Sequence, residues 1–195
     1  ACGVIHKDLK PHHVIYDSES STVQLIDFGI ATKIASELAP AVAPDKLEGT
    51  LAYLSPEQTG RINGTIDRRS DLYSLGVVLY ELFVGVLPFV STDPLELLYS
   101  HVARVPVAPS ARAVHVPEQL SQLILKLLAK SPEERYQSAL GVHADLEQCL
   151  QQLERQGHIP AFPLALHDYI SELRIPNRLY GRAQERSLLH RDRKS

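Results

Sequence analysis

The chain has 195 residues, 44% of them hydrophobic and 22% charged, the composition of a folded domain with a sizeable core, which excludes a disordered or collagen-like chain. A formal net charge of −3 gives no electrostatic case for nucleic acid as the main partner. The two cysteines, Cys2 and Cys149, are too few and too far apart for a disulfide framework, so a reducing cytoplasm is the expected compartment.

In chain order, residues 1–5 read as a strand that carries Val4 and Ile5 into the core and leads to a loop. Residues 14–16 and 23–26 are apolar runs, and residues 17–22 between them are rich in turn formers, which predicts an antiparallel hairpin. That pairing sets His13 opposite Asp27, with Asp8 a short loop away. Two aspartates distant in sequence then converge. The arrangement suits phosphoryl transfer, which needs a placed base, metal-held phosphates and a cation near the transferring group. His12 beside His13 invites a transition-metal reading, but neighbours in an extended segment point apart, and an exposed His12 is expected.

Residues 30–47 lose periodicity and contain Pro40 and Pro44, which predicts a mobile loop, with Thr32 and Ser36 as candidate phosphoacceptors. Residues 70–85 are apolar on nearly every side of a helix and so predict burial all round, with Ser70 capping the start and Gly85 the end. The most apolar stretch, residues 72–90, is broken by Glu81 and Pro88, and a buried helix is expected there in place of a membrane span. Asp93, Pro94 and Glu96 make a cap, first-turn proline and capping-box pattern for a helix to about residue 102. Leu120, Leu123, Ile124, Leu127 and Leu128 give an amphipathic helix. Another runs from about 139 to 155, where Gly157 stops it. Residues 158–163, with two prolines, read as a linker. The tail over 175–195 holds six basic residues against two acidic ones and reads as a solvated segment.

HKD at His6 to Asp8, Lys10, DFG at Asp27 to Gly29 and SPE at Ser55 to Glu57 follow one another in an order and near spacings that are diagnostic together. On these motifs the chain resembles the C-terminal lobe of a eukaryotic-type (Hanks-type) serine/threonine protein kinase over roughly residues 4–150. The resemblance implies an α+β, mostly α fold with a short catalytic-loop hairpin and the N-terminal lobe missing, since no glycine-rich phosphate loop, VAIK-like lysine or glutamate-bearing helix is found. It implies a partial kinase domain over residues 1–155, a linker over 156–173, and either the truncated start of a second, ATPase-like domain or a disordered tail over 174–195. Residues 179–189, LYGRAQERSLL, are similar to the opening of the ATPase module that follows the kinase domain in bacterial multidomain kinases.

Carried over residue by residue, the resemblance makes Asp8 the base that orients and deprotonates a substrate hydroxyl, and Lys10 the cation facing the transferred phosphoryl. Thr50 matches the threonine that bonds both, a feature of serine/threonine specificity. Asp27 is the metal ligand, Phe28 packs beneath the site on His6, and Gly29 permits the turn that follows. Glu57 and Arg135 form an anchoring ion pair, and the Asp71 carboxylate holds the catalytic-loop backbone. Two departures stand out. Lys7 replaces the usual arginine and lacks its bidentate fork for a phosphorylated loop. His13 stands where the family has the asparagine of the second metal site, and Mg2+ prefers hard oxygen ligands.

The implied cofactors are ATP and Mg2+ or Mn2+, the partners a protein substrate and further ATPase or sensor domains in a longer parent, with no nucleic acid and no membrane. The implied function is transfer of the ATP γ-phosphoryl to protein Ser or Thr in bacterial signal transduction, with the fragment alone inactive. The alternative is a pseudokinase or docking module, motivated by His13. A phosphatase or nuclease built on the two aspartates leaves SPE, Asp71 and Arg135 unexplained.

Overall fold

The predicted hairpin forms. In the computed structural model, which describes residues 4–29, 32–33, 51–61 and 64–168, strands β2 (Val14–Asp17) and β3 (Thr22–Leu25) pair antiparallel with Val14 opposite Leu25 and Asp17 opposite Thr22. Asp17 organises the turn: its carboxylate accepts from the Glu19 amide at 3.0 Å and from the Ser20 hydroxyl at 2.5 Å. The pairing extends one bond beyond the strands, with the Ile26 amide donating to the His13 carbonyl at 3.0 Å. A second two-stranded sheet joins β1 (Val4–Ile5) to β4 (Thr32–Lys33). β4 lies inside the region expected to be an irregular loop, where two residues find a ladder partner that their own periodicity does not announce.

The remainder is helical, so the fold is α+β and mostly α. Helix α1 (Arg68–Val84) starts one turn earlier than Ser70 suggested. Asp67 is the cap, its Oδ1 accepting the Arg69 amide at 2.8 Å, while Ser70 sits inside the first turn and points to Glu57. Gly85 ends α1 in the left-handed region at φ 80°, its amide bonded to the Glu81 carbonyl. Burial runs nearly all round α1, with Leu82 the outward exception. α2 (Pro94–Ala103) is capped by Asp93 and opened by Pro94. The capping-box arm does not close, because the Glu96 carboxylate accepts from Ser91 Oγ at 2.7 Å. The short α3 (Pro109–Arg112) precedes α4 (Glu118–Leu127) and α5 (Ala139–Gln156), which Gly157 stops at φ 71°.

α1 is the central element. Tyr73, Val77 and Tyr80 pack with Ala113, Val116, Leu120, Ile124 and Leu128, and Leu72 packs with Leu123, Leu127, Tyr136 and Val142. At Gly76 the two helices meet so closely that a Cβ would stand 2.7 Å from Leu127 Cβ. Residues 159–168, within the expected linker, lie against this body. Gln119 exchanges hydrogen bonds with the Phe162 backbone, the Ala165 amide donates to Asp145, and Asp168 accepts from the Gln137 amide and Ser138 Oγ. Among the described residues no helix is long and apolar enough to cross a membrane.

Candidate active site

The catalytic loop hangs from the start of α1. The Asp71 carboxylate accepts the His6 and Lys7 amides, each at 2.8 Å. Burial pushes its pKa above the ordinary carboxylate value and outweighs the stabilisation from these two amides. With both donors held, Lys7 takes a left-handed backbone at φ 68°, and its carbonyl accepts Gln58 Nε2 at 2.7 Å. Strained non-glycine residues of this kind persist where surrounding bonds over-determine them.

The loop then delivers the polar groups. Asp8 Oδ2 pairs with Lys10 Nζ at 2.9 Å. His13 is buried between the two aspartates. Its Nδ1 is 2.8 Å from the Asp8 carbonyl oxygen and 3.6 Å from Asp8 Oδ2, and its Nε2 is 3.4 Å from Asp27 Oδ2. Asp27 adopts φ 62°, a second left-handed non-glycine, and its side chain is 61% exposed against 16% for Asp8. The hairpin thus joins a sheltered carboxylate to an open one across one imidazole ring. Phe28 meets the His6 ring at 4.8 Å between centroids, yet is half exposed, and so covers His6 from outside. His6 Nε2 contacts the Ile26 carbonyl at 3.0 Å, and Gly29 donates its amide to Asp27 Oδ1 at 3.3 Å. His12 is exposed.

Beneath the loop, Glu57 and Arg135 form a bidentate pair, with NH1 to Oε1 at 2.8 Å and NH2 to Oε2 at 2.9 Å, both side chains almost wholly buried. Burial drives the Glu57 carboxyl upward, but Arg135 and Ser70 together hold it below its ordinary value. Arg135 also donates to the carbonyls of Arg69, Ala129 and Lys130, so every side of the guanidinium is used. Thr50 lies outside the described residues.

Three contributors escape motif reading. Ser70 donates to Glu57 Oε1 at 2.7 Å, Gln58 ties this turn to Lys7, and Tyr53 OH bonds Glu81 on α1 at 2.6 Å. Only Gln58 carried a signal, as the partner of Ser55 in a reciprocal cap. Among the described residues no group of three or more His, Cys, Asp or Glu is placed to hold a metal ion. Asp27 Oδ2 and His13 Nε2, 3.4 Å apart, are two atoms of the kind that ligate metals.

Comparison with known proteins converges on one family. A model of the protein kinase domain matches residues 1–152. The serine/threonine-protein kinase PknB of Mycolicibacterium smegmatis is 40% identical over 166 residues, 85% of this chain and 25% of that protein. PknB of Mycobacterium leprae is 42% identical over 144 residues, 74% of this chain and 22% of its own, and a probable PknB of Bifidobacterium longum is 38% identical over 144 residues, 74% and 20% respectively. The chain spans about a quarter of the length of the curated relatives it matches.

Proposed function

Since this chain belongs to the protein kinase domain family, we propose that it carries the catalytic-loop half of a serine/threonine protein kinase that transfers the γ-phosphoryl of ATP to a protein hydroxyl. Asp8 orients the Ser or Thr hydroxyl and takes its proton. The hydroxyl oxygen forms a bond to Pγ, and the bond from Pγ to the β,γ-bridging oxygen breaks, with its electron pair leaving on ADP. Lys10, paired to Asp8, offsets charge on the transferring group. The family resemblance assigns Thr50 the role of the threonine that hydrogen-bonds both residues. Asp27 holds a divalent ion, which when bound neutralises charge on the β- and γ-phosphates. Its open carboxylate fits that task, because phosphates and water reach it directly.

The observation that carries this reading is the convergence of Asp8 and Asp27 on His13, each within 3.6 Å of the ring, together with a loop backbone fixed by Asp71. On this reading residues 1–155 are the C-terminal lobe of a kinase domain, residues 156–173 connect it onward, and residues 174–195 either open an ATPase-like module or form a tail. The longer protein phosphorylates proteins in cytoplasmic signalling. The lobe alone transfers phosphate slowly or not at all, because no glycine-rich loop or VAIK-like lysine clamps ATP within these residues.

Calorimetric titration of the 195-residue chain with ATP, with and without Mg2+ or Mn2+, is the test. Metal-dependent binding that disappears in Asp27→Ala is the expected result. A folded chain that binds no nucleotide under any of these conditions overturns Asp27 as a metal-holding half-site in the isolated lobe and leaves activity to the longer protein alone. His13 favours a second reading, a kinase fold that docks partners without efficient transfer. In a chimera supplied with a glycine-rich lobe, equal turnover by His13 and His13→Asn forms removes its basis.

A further inference from the structure

Two buried polar side chains find partners in residues 159–168, which lie beyond the residues 1–152 that the family model covers. On α4, Gln119 is only 6% exposed and spends both ends of its amide on one residue, Nε2 donating to the Phe162 carbonyl at 2.8 Å and Oε1 accepting the Phe162 amide at 3.3 Å. On α5, Asp145 is 2% exposed, and its Oδ2 accepts the Ala165 amide at 2.7 Å together with the Tyr136 hydroxyl. Ala165 meets that carboxylate with a left-handed backbone at φ 64°, a conformation that a residue other than glycine keeps when several contacts hold it at once. Leu164 and Ala165 also pack on the apolar cluster that contains Tyr136. A buried carboxylate is costly unless donors surround it, so Asp145 favours a seated segment.

Tyr136 carries this contact toward the catalytic loop. Its neighbour Arg135 is extended, at φ −77° and ψ 175°, so the two side chains leave the backbone on opposite sides. Tyr136 goes to Asp145, while Arg135 goes to Glu57 in the capped turn over residues 55–58, whose Gln58 holds the Lys7 carbonyl. An unbroken run of bonds thus joins the Ala165 amide to the catalytic loop. We infer that residues 159–168 are a regulatory strap: seated on Asp145 and Gln119 they fix Tyr136 and Arg135, and through them the turn over residues 55–58, and a partner that lifts them loosens that turn. The inference deepens the kinase reading above, on which it rests for what the catalytic loop does. Asp168 fastens only the outer end of the strap, and its loss leaves the bonds at Asp145 and Gln119 in place.

The test is site-resolved amide hydrogen exchange on the full 195-residue chain. Ala165→Pro removes the amide that Asp145 accepts and cannot adopt φ 64°, so it lifts the strap without altering the helices. Ala165→Gly keeps the amide and takes that backbone freely. In Ala165→Pro the Ser55 and Gln58 amides, bonded to Gln58 Oε1 and to the Ser55 carbonyl, are expected to exchange at least about threefold faster than in the wild type, while amides in the middle of α4 stay unchanged. Ala165→Gly is expected to leave both at the wild-type rate. The inference is overturned if Ala165→Pro speeds exchange in residues 159–168 and α5 alone, or speeds α4 by the same factor as residues 55–58, which marks a general loss of stability. Gln119→Ala frees the strap at Phe162 and puts the same question to a chain with Ala165 intact, so a poorly folding proline variant does not leave the answer open. Exchange needs no nucleotide. A chain that shows the coupling but binds no ATP keeps the strap and loses the Asp27 half-site, whereas ATP binding without the coupling removes the strap alone.

Discussion

A guanidinium buried at Arg135 is tolerable only because Glu57 and three carbonyls surround it. Removing one partner strands the other charge in the core, so Arg135→Ala or Glu57→Ala is expected to cost about 3–5 kcal/mol in urea unfolding, and the paired replacement less than the two single costs summed. The sign with pH follows from the same pair. Glu57 is held below its ordinary value of 4.5 in the fold. Its stabilisation is therefore complete above that value and is lost as pH falls through the lower folded value. In Glu57→Gln the acid limb of the stability profile is expected to flatten below about pH 4.5. The pairing of Glu57 with Arg135 was legible from the family resemblance that the SPE motif carries. Ser70 as a third member was not, because a serine near a helix start reads first as a cap, and only the position of Asp67 one turn earlier frees it for Glu57.

At the scale of elements, the helix ends were readable because capping is local. Asp93, Gly85 and Gly157 act within one turn of themselves. The close packing of α1 on α4 is not local, and Gly76 marks it. Gly76→Ala places a methyl 2.7 Å from Leu127 Cβ, and the expected loss is about 1–3 kcal/mol, seen as a lower urea midpoint with an unchanged slope. An unchanged or higher midpoint shows that the helices separate without penalty. Residues 159–168 teach a similar lesson. Their prolines suggest a linker, but Leu164 and Ala165 find the apolar cluster around Tyr136, and Asp168 finds the exposed start of α5. Asp168→Ala removes an acceptor from Gln137 and Ser138 and is expected to cost about 1 kcal/mol, with faster amide exchange confined to residues 159–168 and the first turn of α5.

For the whole molecule, the consequence of dense packing around α1 is a fold sensitive to mild acid. His101 is fully buried against Tyr73 and Phe89, and burial, reinforced by the Lys130 charge nearby, lowers its pKa to about 4 from 6.5. Between those values the unfolded chain takes up a proton that the folded one refuses, so stability falls as pH drops from 6.5 toward 4. The full effect is on the order of 3 kcal/mol. His101→Gln is expected to abolish that part of the slope whatever it does to stability at neutral pH, and a profile parallel to the wild type contradicts the assignment. The hairpin is the opposite case, with Tyr16, Val23 and Leu25 all exposed. By itself the sequence determined the hairpin, the helix ends at Gly85, Asp93 and Gly157, and the approach of Asp8 to Asp27, because turn chemistry, capping and strand register act over a few residues. Tertiary structure alone decided that His13 Nδ1 meets a carbonyl while Nε2 faces Asp27, that Gln58 reaches Lys7, and that residues 159–168 lie against the helices. Each depends on where residues distant in sequence come to rest once α1 is buried, and no local pattern encodes that distance.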